Sequence, residues 1–108
     1  MKCPDSWVVI KVIGEDTMYK VLAGWSGSYL NGTSWQLNSG IVKVEQNGEY
    51  FMFHGSSGSV YRCHKEGYGL RMSTAGIWNT LKERYPEQVE LMEENTSWSG
   101  LILENVDV

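Results

Sequence analysis

The sequence has few cysteines and no long hydrophobic run. Its 108 residues contain two cysteines, Cys3 and Cys63, which are too few for the disulfide framework of a small secreted domain. The apolar runs, such as residues 7–10, are far shorter than the roughly 18 to 20 residues that cross a bilayer. The first residues also make a poor signal peptide, because a lysine breaks their apolar stretch and no small-residue cleavage site follows. We therefore expect a cytoplasmic protein that does not enter a membrane.

Motifs for catalysis and for cofactor binding are missing as well. Neither GxGxxG nor GxxxxGK[ST] occurs, and His54, His64 and the cysteines show no metal-ligand spacing. Adjacent residues of a strand point to opposite faces, so Cys63 and His64 cannot share a metal, and Cys63 is expected in the core. Carboxylate pairs such as Glu93-Glu94 lie in polar runs that would not raise a pKa for acid/base catalysis. The sequence thus predicts no enzyme, no metal and no cofactor.

Positive charge is scarce towards the C-terminus. Residues 1–80 carry seven Lys/Arg and six Asp/Glu, whereas residues 81–108 carry two and seven. The acidic residues of this region are Glu83, Glu87, Glu90, Glu93, Glu94, Glu104 and Asp107. They form either a solvated helix face or a surface that attracts a basic partner, because exposed charge of one sign steers association. Direct nucleic-acid binding is not expected, since neutralisation of phosphates supplies most of that affinity.

The residues that are present predict a globular domain rich in strands. Residues 1–108 are 42% hydrophobic and 20% charged, which is typical of a single folded domain. A β-branched apolar run that only Lys11 interrupts predicts a mostly buried strand over 7–13. Further strands are predicted over 17–23, 35–37, 41–46, 49–54 and 59–64. The first two strands should form a hairpin in which Val12 lies opposite Tyr19 and Ile10 opposite Val21.

The dipeptide Asn47-Gly48 is the strongest local signal in the chain. Between two alternating segments it predicts a type I′ hairpin with a two-residue loop. This loop would place Val44 opposite Phe51, with the apolar residues of both strands on one face.

A second hairpin is predicted immediately afterwards. Gly58 suits the left-handed position of a bulged three-residue loop, which would place Phe51 opposite Cys63 and Phe53 opposite Tyr61. The two hairpins together predict a shared core of five side chains, namely Val42, Val44, Phe51, Phe53 and Tyr61.

The apolar period changes from strand to helix after residue 73. Ser73 or Thr74 can cap a helix, and Pro86 either ends it or opens a second short helix, before a last strand over 101–104. The predicted fold class is therefore α+β. A twisted antiparallel β-meander of five to seven strands, which can curl into a partial barrel, is followed by one or two C-terminal helices and a short last strand.

Aromatic residues are abundant, with five Trp and six Tyr. Several lie beside Gly, Ser or Asn in predicted loops, namely Trp25, Tyr29, Trp35, Tyr68 and Trp98. Such rings either fill the core of a small domain or serve as rigid anchors in an interface.

These features favour a non-enzymatic module that binds or inhibits another protein with a basic surface. In general type the chain resembles accessory proteins of phages and mobile elements, such as anti-CRISPR inhibitors of nucleic-acid-binding complexes. The predicted contact residues are Trp25, Tyr29, Trp35, Glu83, Glu87, Glu90, Glu93 and Glu94. The alternative is a domain that binds sugars or single-stranded nucleic acid by stacking on exposed aromatics.

Overall fold

A computed structural model describes residues 1–26, 34–98 and 100 of the chain. In chain order its regular elements are β1 (Ser6–Val12), β2 (Met18–Trp25), β3 (Ser34–Leu37), β4 (Ile41–Asn47), β5 (Tyr50–Gly55), β6 (Val60–His64), a 3-10 turn (Lys65–Gly67), α1 (Met72–Arg84) and β7 (Val89–Leu91). The predicted α+β class with antiparallel sheets is confirmed. The strand predicted over 101–104 lies outside the described residues.

The described strands form two sheets rather than one meander or partial barrel. Four strands follow the order β3-β2-β1-β7, and three follow the order β4-β5-β6. The four-stranded sheet is apolar on both faces, as β1 illustrates: Val8 and Ile10 lie in one apolar cluster, while Trp7 and Val9 lie in the other. Such a strand needs a cover on each side, which α1 provides on one face and the three-stranded sheet on the other.

The β1–β2 hairpin differs from its predicted register by one residue. Ile10 pairs with Lys20 and Val9 with Val21, so that Ile10 does not lie opposite Val21. After a shift of one residue, each side chain of one strand shares a face with the neighbours of its predicted partners. Because β1 is apolar on both faces, its sequence does not show which face should match the apolar residues of β2. The pattern therefore could not distinguish the two registers.

The β5–β6 hairpin has the predicted register. Phe51 pairs with Cys63 and Phe53 with Tyr61, and Gly58 has a φ of +95° in the loop. The glycine supplies the left-handed conformation that the bulged loop requires.

The β4–β5 hairpin is displaced by two residues from the prediction. Asn47 pairs with Tyr50, so the two-residue loop consists of Gly48 and Glu49 instead of Asn47-Gly48. Among these loop residues only Gly48 has a positive φ, at +60°, which is the pattern of a type II′ turn rather than type I′. A shift of two residues keeps the faces of both strands, so Val44, which pairs with Phe53 rather than Phe51, still points towards the core.

The prediction that Val42 belongs to the core is wrong. A bulge between Ile41 and Lys43 interrupts the pairing of β4 with β5. Ile41 therefore packs against the core, whereas Val42 is 52% exposed. The other four predicted members are in place, since Phe53 and Tyr61 are buried and Phe51 and Val44 pack against them.

Trp7 joins the two sheets at the centre of the aromatic core. Its ring centroid lies 4.7 Å from that of Tyr68, 5.3 Å from Phe53 and 6.0 Å from Trp98. Its Nε1 donates a 2.7 Å hydrogen bond to the carbonyl of His64, so the indole has a polar partner as well. These edge-on contacts make the space between the sheets the most densely aromatic part of the fold.

The helix predicted after residue 73 is present as α1. Arg71 precedes α1, and the buried Thr74 accepts a 3.0 Å hydrogen bond from the Arg71 amide through Oγ1, so the helix is capped from inside its first turn. Pro86 follows the end of α1, as expected. The predicted second helix is wrong, because residues 86–88 form a turn and β7 pairs with the edge of β1, Val89 opposite Val12. Pairing there satisfies backbone groups of β1 that a helix would leave open.

Candidate functional site

A groove opens where α1 stops covering the four-stranded sheet. Ile77, Trp78 and Leu81 of α1 pack on the apolar face of the sheet, and the helix ends at Arg84. Beyond this point a cavity of about 310 Å³ remains between the end of the helix and the end of the β1–β2 hairpin. This volume lies at the lower end of the roughly 300 to 1,000 Å³ that ligand-binding pockets span.

The walls of the groove are mostly apolar. The lining residues are Ile10, Val12, Ile13, Lys20, Leu37, Leu81, Tyr85, Gln88 and Val89. Among them Lys20 carries the one formal charge, and Gln88 and the hydroxyl of Tyr85 add polar groups. Such a groove accepts an apolar group, with a few polar contacts to orient it.

Large apolar side chains are exposed around the groove. Ile13 is 37% exposed and Tyr85 45%. Trp35, which is 45% exposed, lies two positions before Leu37 on β3 and therefore on the same face of the sheet. Exposed apolar groups that cluster beside a groove are typical of interaction surfaces, whereas isolated ones are ordinary.

Acidic residues lie next to the groove in the chain. Glu83 precedes the end of α1, Glu87 precedes Gln88, and Glu15 and Asp16 occupy the turn after Ile13; all four are exposed. Lys82 lies nearby, and its Nζ donates a 3.3 Å hydrogen bond to the carbonyl of Pro86. Arg84 is also exposed, next to Tyr85, so the residues beside the groove carry charges of both signs.

The predicted acidic contact residues do not form one helical row. Among the five, Glu83 lies in α1, Glu87 lies in the turn after the helix, and Glu90 lies in β7 opposite Lys11. Glu93 and Glu94 follow β7, and all five side chains are exposed. Glu83 and Glu87 are neighbours in sequence of residues that line the groove, although neither belongs to its lining. Alternation along β7 points Glu90 away from the face that carries Val89.

The predicted aromatic contact residues are divided between opposite faces of the sheet. Trp25 packs against the aromatic core, and its Nε1 donates a 3.0 Å hydrogen bond to the carbonyl of Cys3, so this ring has a structural role. Trp35 pairs with Gly24 and lies on the face of the groove. Tyr29 lies outside the described residues. One surface thus includes Trp35 but not Trp25.

Two further loop aromatics belong to the core. Trp98 is buried, and Tyr68 packs against both apolar clusters. The Tyr68 hydroxyl accepts a 3.3 Å hydrogen bond from the amide of Val9 and donates one to the carbonyl of Met92. Burial raises the pKa of Tyr68 to about 12, so the phenol stays protonated at neutral pH.

The outer face of the three-stranded sheet is polar and internally paired. The guanidinium carbon of Arg62 lies 3.9 Å from the centroid of the Tyr50 ring, and the ring of His64 meets Tyr50 edge-on at 4.9 Å. Lys43 lies 3.0 Å from Glu45 and holds the pKa of that carboxyl below its ordinary value. The contacts of Arg62 and His64 with Tyr50 join β6 to β5, whereas the Lys43–Glu45 pair lies within β4. Contacts of these kinds stabilise a solvated sheet face without a partner.

The remaining candidates for site chemistry were Cys63 and the metal-ligating side chains. Cys63 is fully buried, and burial raises the pKa of its thiol, which confirms its place in the core. Within residues 1–26, 34–98 and 100, no group of three or more His, Cys, Asp or Glu side chains could hold a metal ion. No helix in these ranges is long and apolar enough to cross a membrane.

Comparison of the chain with models of protein families, with curated proteins and with solved structures finds no match. The groove itself could not be found from the sequence, because it depends on where α1 stops over the sheet. Leu37 and Val89, which help to line it, belong to strands whose pairing the pattern did not establish.

Proposed function

We propose that the protein is a non-enzymatic binding module that recognises another protein through the groove between α1 and the four-stranded sheet. The observation that carries this proposal is the apolar cavity of about 310 Å³ that remains open at the end of the helix. Exposed Ile13 and Tyr85 extend its apolar surface. An apolar side chain from a partner would displace water from this surface, which is the main favourable term in association.

The partner should combine an apolar anchor with basic neighbours. Glu83 and Glu87 are exposed, and each is close in sequence to residues that line the groove. In this proposal they meet Lys or Arg residues that flank the anchor. Charge of this kind mainly raises the association rate, whereas a buried anchor sets the dissociation rate. A basic surface covered in this way is closed to nucleic acid, so binding would inhibit a partner whose basic surface serves nucleic-acid recognition.

The alternative function, stacking of sugars or bases on exposed aromatics, has less support. Trp35 is 45% exposed, whereas the other four tryptophans are buried or partly buried. On the outer face of the three-stranded sheet, the guanidinium of Arg62 stacks on the ring of Tyr50. A stacking surface for single strands usually offers several free rings in succession.

Selection of random peptides displayed on phage tests the proposed function without knowledge of the natural partner. We expect the wild-type protein to enrich peptides that carry an aromatic or aliphatic anchor close to Lys or Arg. The substitution Gln88→Trp would fill the mouth of the groove while the backbone hydrogen bonds of residue 88 remain. Enrichment should be lost with this variant and kept with Asn79→Trp, on an exposed position of α1. Equal enrichment by both variants would contradict the proposal.

Charge reversal tests the basic character of the partner. The double variant Glu83→Lys/Glu87→Lys should slow association of a selected peptide and flatten its salt dependence. The control variant Glu49→Lys/Glu66→Lys makes the same change in net charge beside the three-stranded sheet. It should leave the association rate and its salt dependence unchanged. The variant Lys20→Met distinguishes a basic peptide from an anionic ligand. It should leave the affinity for a basic peptide unchanged or improve it. A large loss of affinity would mean that the groove binds an anionic amphiphile instead.

A further inference from the structure

A second cavity, of different chemistry, lies between the two sheets. Its volume is about 390 Å³, and its described lining consists of Lys2, Gln36, Leu37, Asn38, Ser39, Ser57, Ser59 and Tyr61. These residues come from the N-terminal segment, the end of β3 with the turn that follows, and the β5–β6 hairpin. Seven of the eight side chains are polar, and none of them is a carboxylate.

Hydrogen bonds hold the walls of this polar cavity in position. The amide of Ser57 donates a 3.0 Å bond to Ser39 Oγ, and the two hydroxyl oxygens lie 3.1 Å apart. On the opposite wall, Lys2 Nζ donates a 2.5 Å bond to Gln36 Oε1. Backbone pairing of Lys2 with β6 fixes the origin of the lysine side chain, through 2.9 Å and 2.7 Å bonds to Val60 and Arg62. The cavity is thus built from both sheets.

Asn38 is the most informative residue of the lining. It is 3% exposed, and its Oδ1 accepts a 2.8 Å hydrogen bond from the amide of Val21. Its Nδ2 is buried and has no acceptor among the described residues. A buried amide group without a partner costs free energy, so such groups are rare unless water or a ligand satisfies them. Asn38 is one of the lining residues, so the buried group that lacks an acceptor lies in the wall of the cavity.

We propose that the polar cavity binds a small ligand through an oxyanion group, either a carboxylate or a phosphate. Lys2 supplies the one formal charge of the described lining, and it is positive. An ammonium group bonded to Gln36 keeps further N–H donors for a ligand. The hydroxyls of Ser57 and Ser59 can donate as well, whereas that of Ser39 donates to Ser57. Donors therefore converge without a carboxylate to repel an anion, and charge-assisted bonds of this type are the strong ones.

Tyr61 adds a second buried polar group to the lining. It is 3% exposed, and its hydroxyl lies 3.5 Å from Gln36 Oε1. Burial raises the pKa of Tyr61 above its ordinary value, so its phenol is protonated at neutral pH and repels no anion. The ammonium of Lys2 lies 5.5 Å from the centroid of the Tyr61 ring, which helps to hold the cation at the cavity.

Titration of the isotope-labelled protein with inorganic phosphate, with acetate and with glucose, followed by amide NMR shifts, tests the proposal. We expect saturable shifts of the amides of residues 36–39 and 57–61 with at least one of the two anions, and none with glucose. Saturation by phosphate alone would identify a phosphate ligand, and saturation by acetate alone a carboxylate. The absence of saturable shifts with both anions, or saturation by glucose, would overturn the proposal.

Two variants make the assignment specific. Lys2→Met removes the charge and should weaken anion binding about tenfold, the equivalent of one charge-assisted hydrogen bond. The matched control Lys43→Met removes an equal charge from the exposed face of β4 and should leave the affinity unchanged. Asn38→Asp keeps the acceptor for Val21 but replaces the Nδ2 donor with a negative oxygen, so it should abolish binding. An equal loss with Lys2→Met and Lys43→Met would show that the anion senses net charge only, and the cavity would not be its site.

Discussion

The two faces of the four-stranded sheet are covered in different ways. One face packs Trp7, Val9 and Val21 against Phe53 and the other aromatic residues of the second sheet. The other face packs Val8, Ile10 and Leu22 against a single helix of 13 residues. A sheet can cover its neighbour along the whole length of its strands, whereas a helix covers one stripe. We call the first face closed because its apolar side chains are covered by the second sheet, apart from the polar cavity between the sheets. The second face keeps an apolar groove at the end of α1.

Under the proposed function, this difference would assign stability to one face of the sheet and recognition to the other. The closed face holds most of the large rings and joins the two sheets through the hydrogen bond from Trp7 to His64. On the helix-covered face, apolar surface that folding has not buried remains available to a partner. The same strand, β1, supplies both faces through the alternation of its side chains. Substitutions on the two faces should therefore differ in their effects.

The largest effect is expected from truncation on the closed face. Phe53→Ala should lower the free energy of unfolding by about 3 to 5 kcal/mol, because a fully buried ring is lost from a tightly packed cluster. Urea denaturation measures this loss, and Val42→Ala on the exposed bulge serves as the control with a change within about 0.5 kcal/mol. A loss below about 1 kcal/mol for Phe53→Ala would show that the closed face is not the main core.

A smaller effect is expected from truncation on the face that the helix covers. Leu81 is partly buried and borders the groove, so its truncation leaves space that water can already reach. Leu81→Ala should cost about 1 to 2 kcal/mol, less than the roughly 2 to 5 kcal/mol of a fully buried leucine. The same denaturation series measures it. A cost equal to that of Phe53→Ala would remove the proposed contrast between the two faces.

The smallest of these changes at neutral pH concerns Tyr68, which contacts both apolar clusters. Tyr68→Phe removes the hydroxyl that joins Val9 to Met92 and should cost about 1 kcal/mol. Its second effect depends on pH. The pKa of Tyr68 rises from 10.0 to about 12 on folding, so the folded state holds the phenolic proton more tightly.

The stability that this proton contributes is complete below pH 10 and disappears as the pH rises towards about 12. The wild-type protein should therefore lose more stability across this interval than Tyr68→Phe does. Burial also raises the pKa values of Tyr61 and Cys63, so the variant should still lose some stability as the pH rises. Denaturant unfolding at several alkaline pH values measures the difference, and equal slopes would mean that the phenol is not buried as described.

Local chemistry predicted those parts of the fold that depend on short segments. Gly58 determined the β5–β6 loop and thereby its register, and Pro86 marked the end of the helix region. The same local reasoning failed at Asn47-Gly48, where a displacement of two residues keeps the side chains of residues 43–47 on their predicted faces. Alternation cannot separate two registers that bury the same residues.

Long-range packing accounts for the remaining differences. The glutamate-rich segment after Pro86 has a spacing that fits either a helix or a strand, and the open edge of β1 decides in favour of β7. Tyr68 and Trp98 have loop-like neighbours in the chain, yet they fill the space around Trp7. The groove and the polar cavity each combine segments far apart in sequence, so neither has a local signature.

The most direct test of the central claim is to map where a selected peptide contacts the protein by amide NMR shifts. If the helix-covered face of the four-stranded sheet is the recognition surface, the saturable shifts should concentrate at Ile13, Lys20, Leu81, Tyr85 and Gln88. The amides of Tyr50, Met52 and Arg62 on the outer face of the three-stranded sheet should not move. Shifts concentrated on those three residues, with the groove unaffected, would contradict the proposed function.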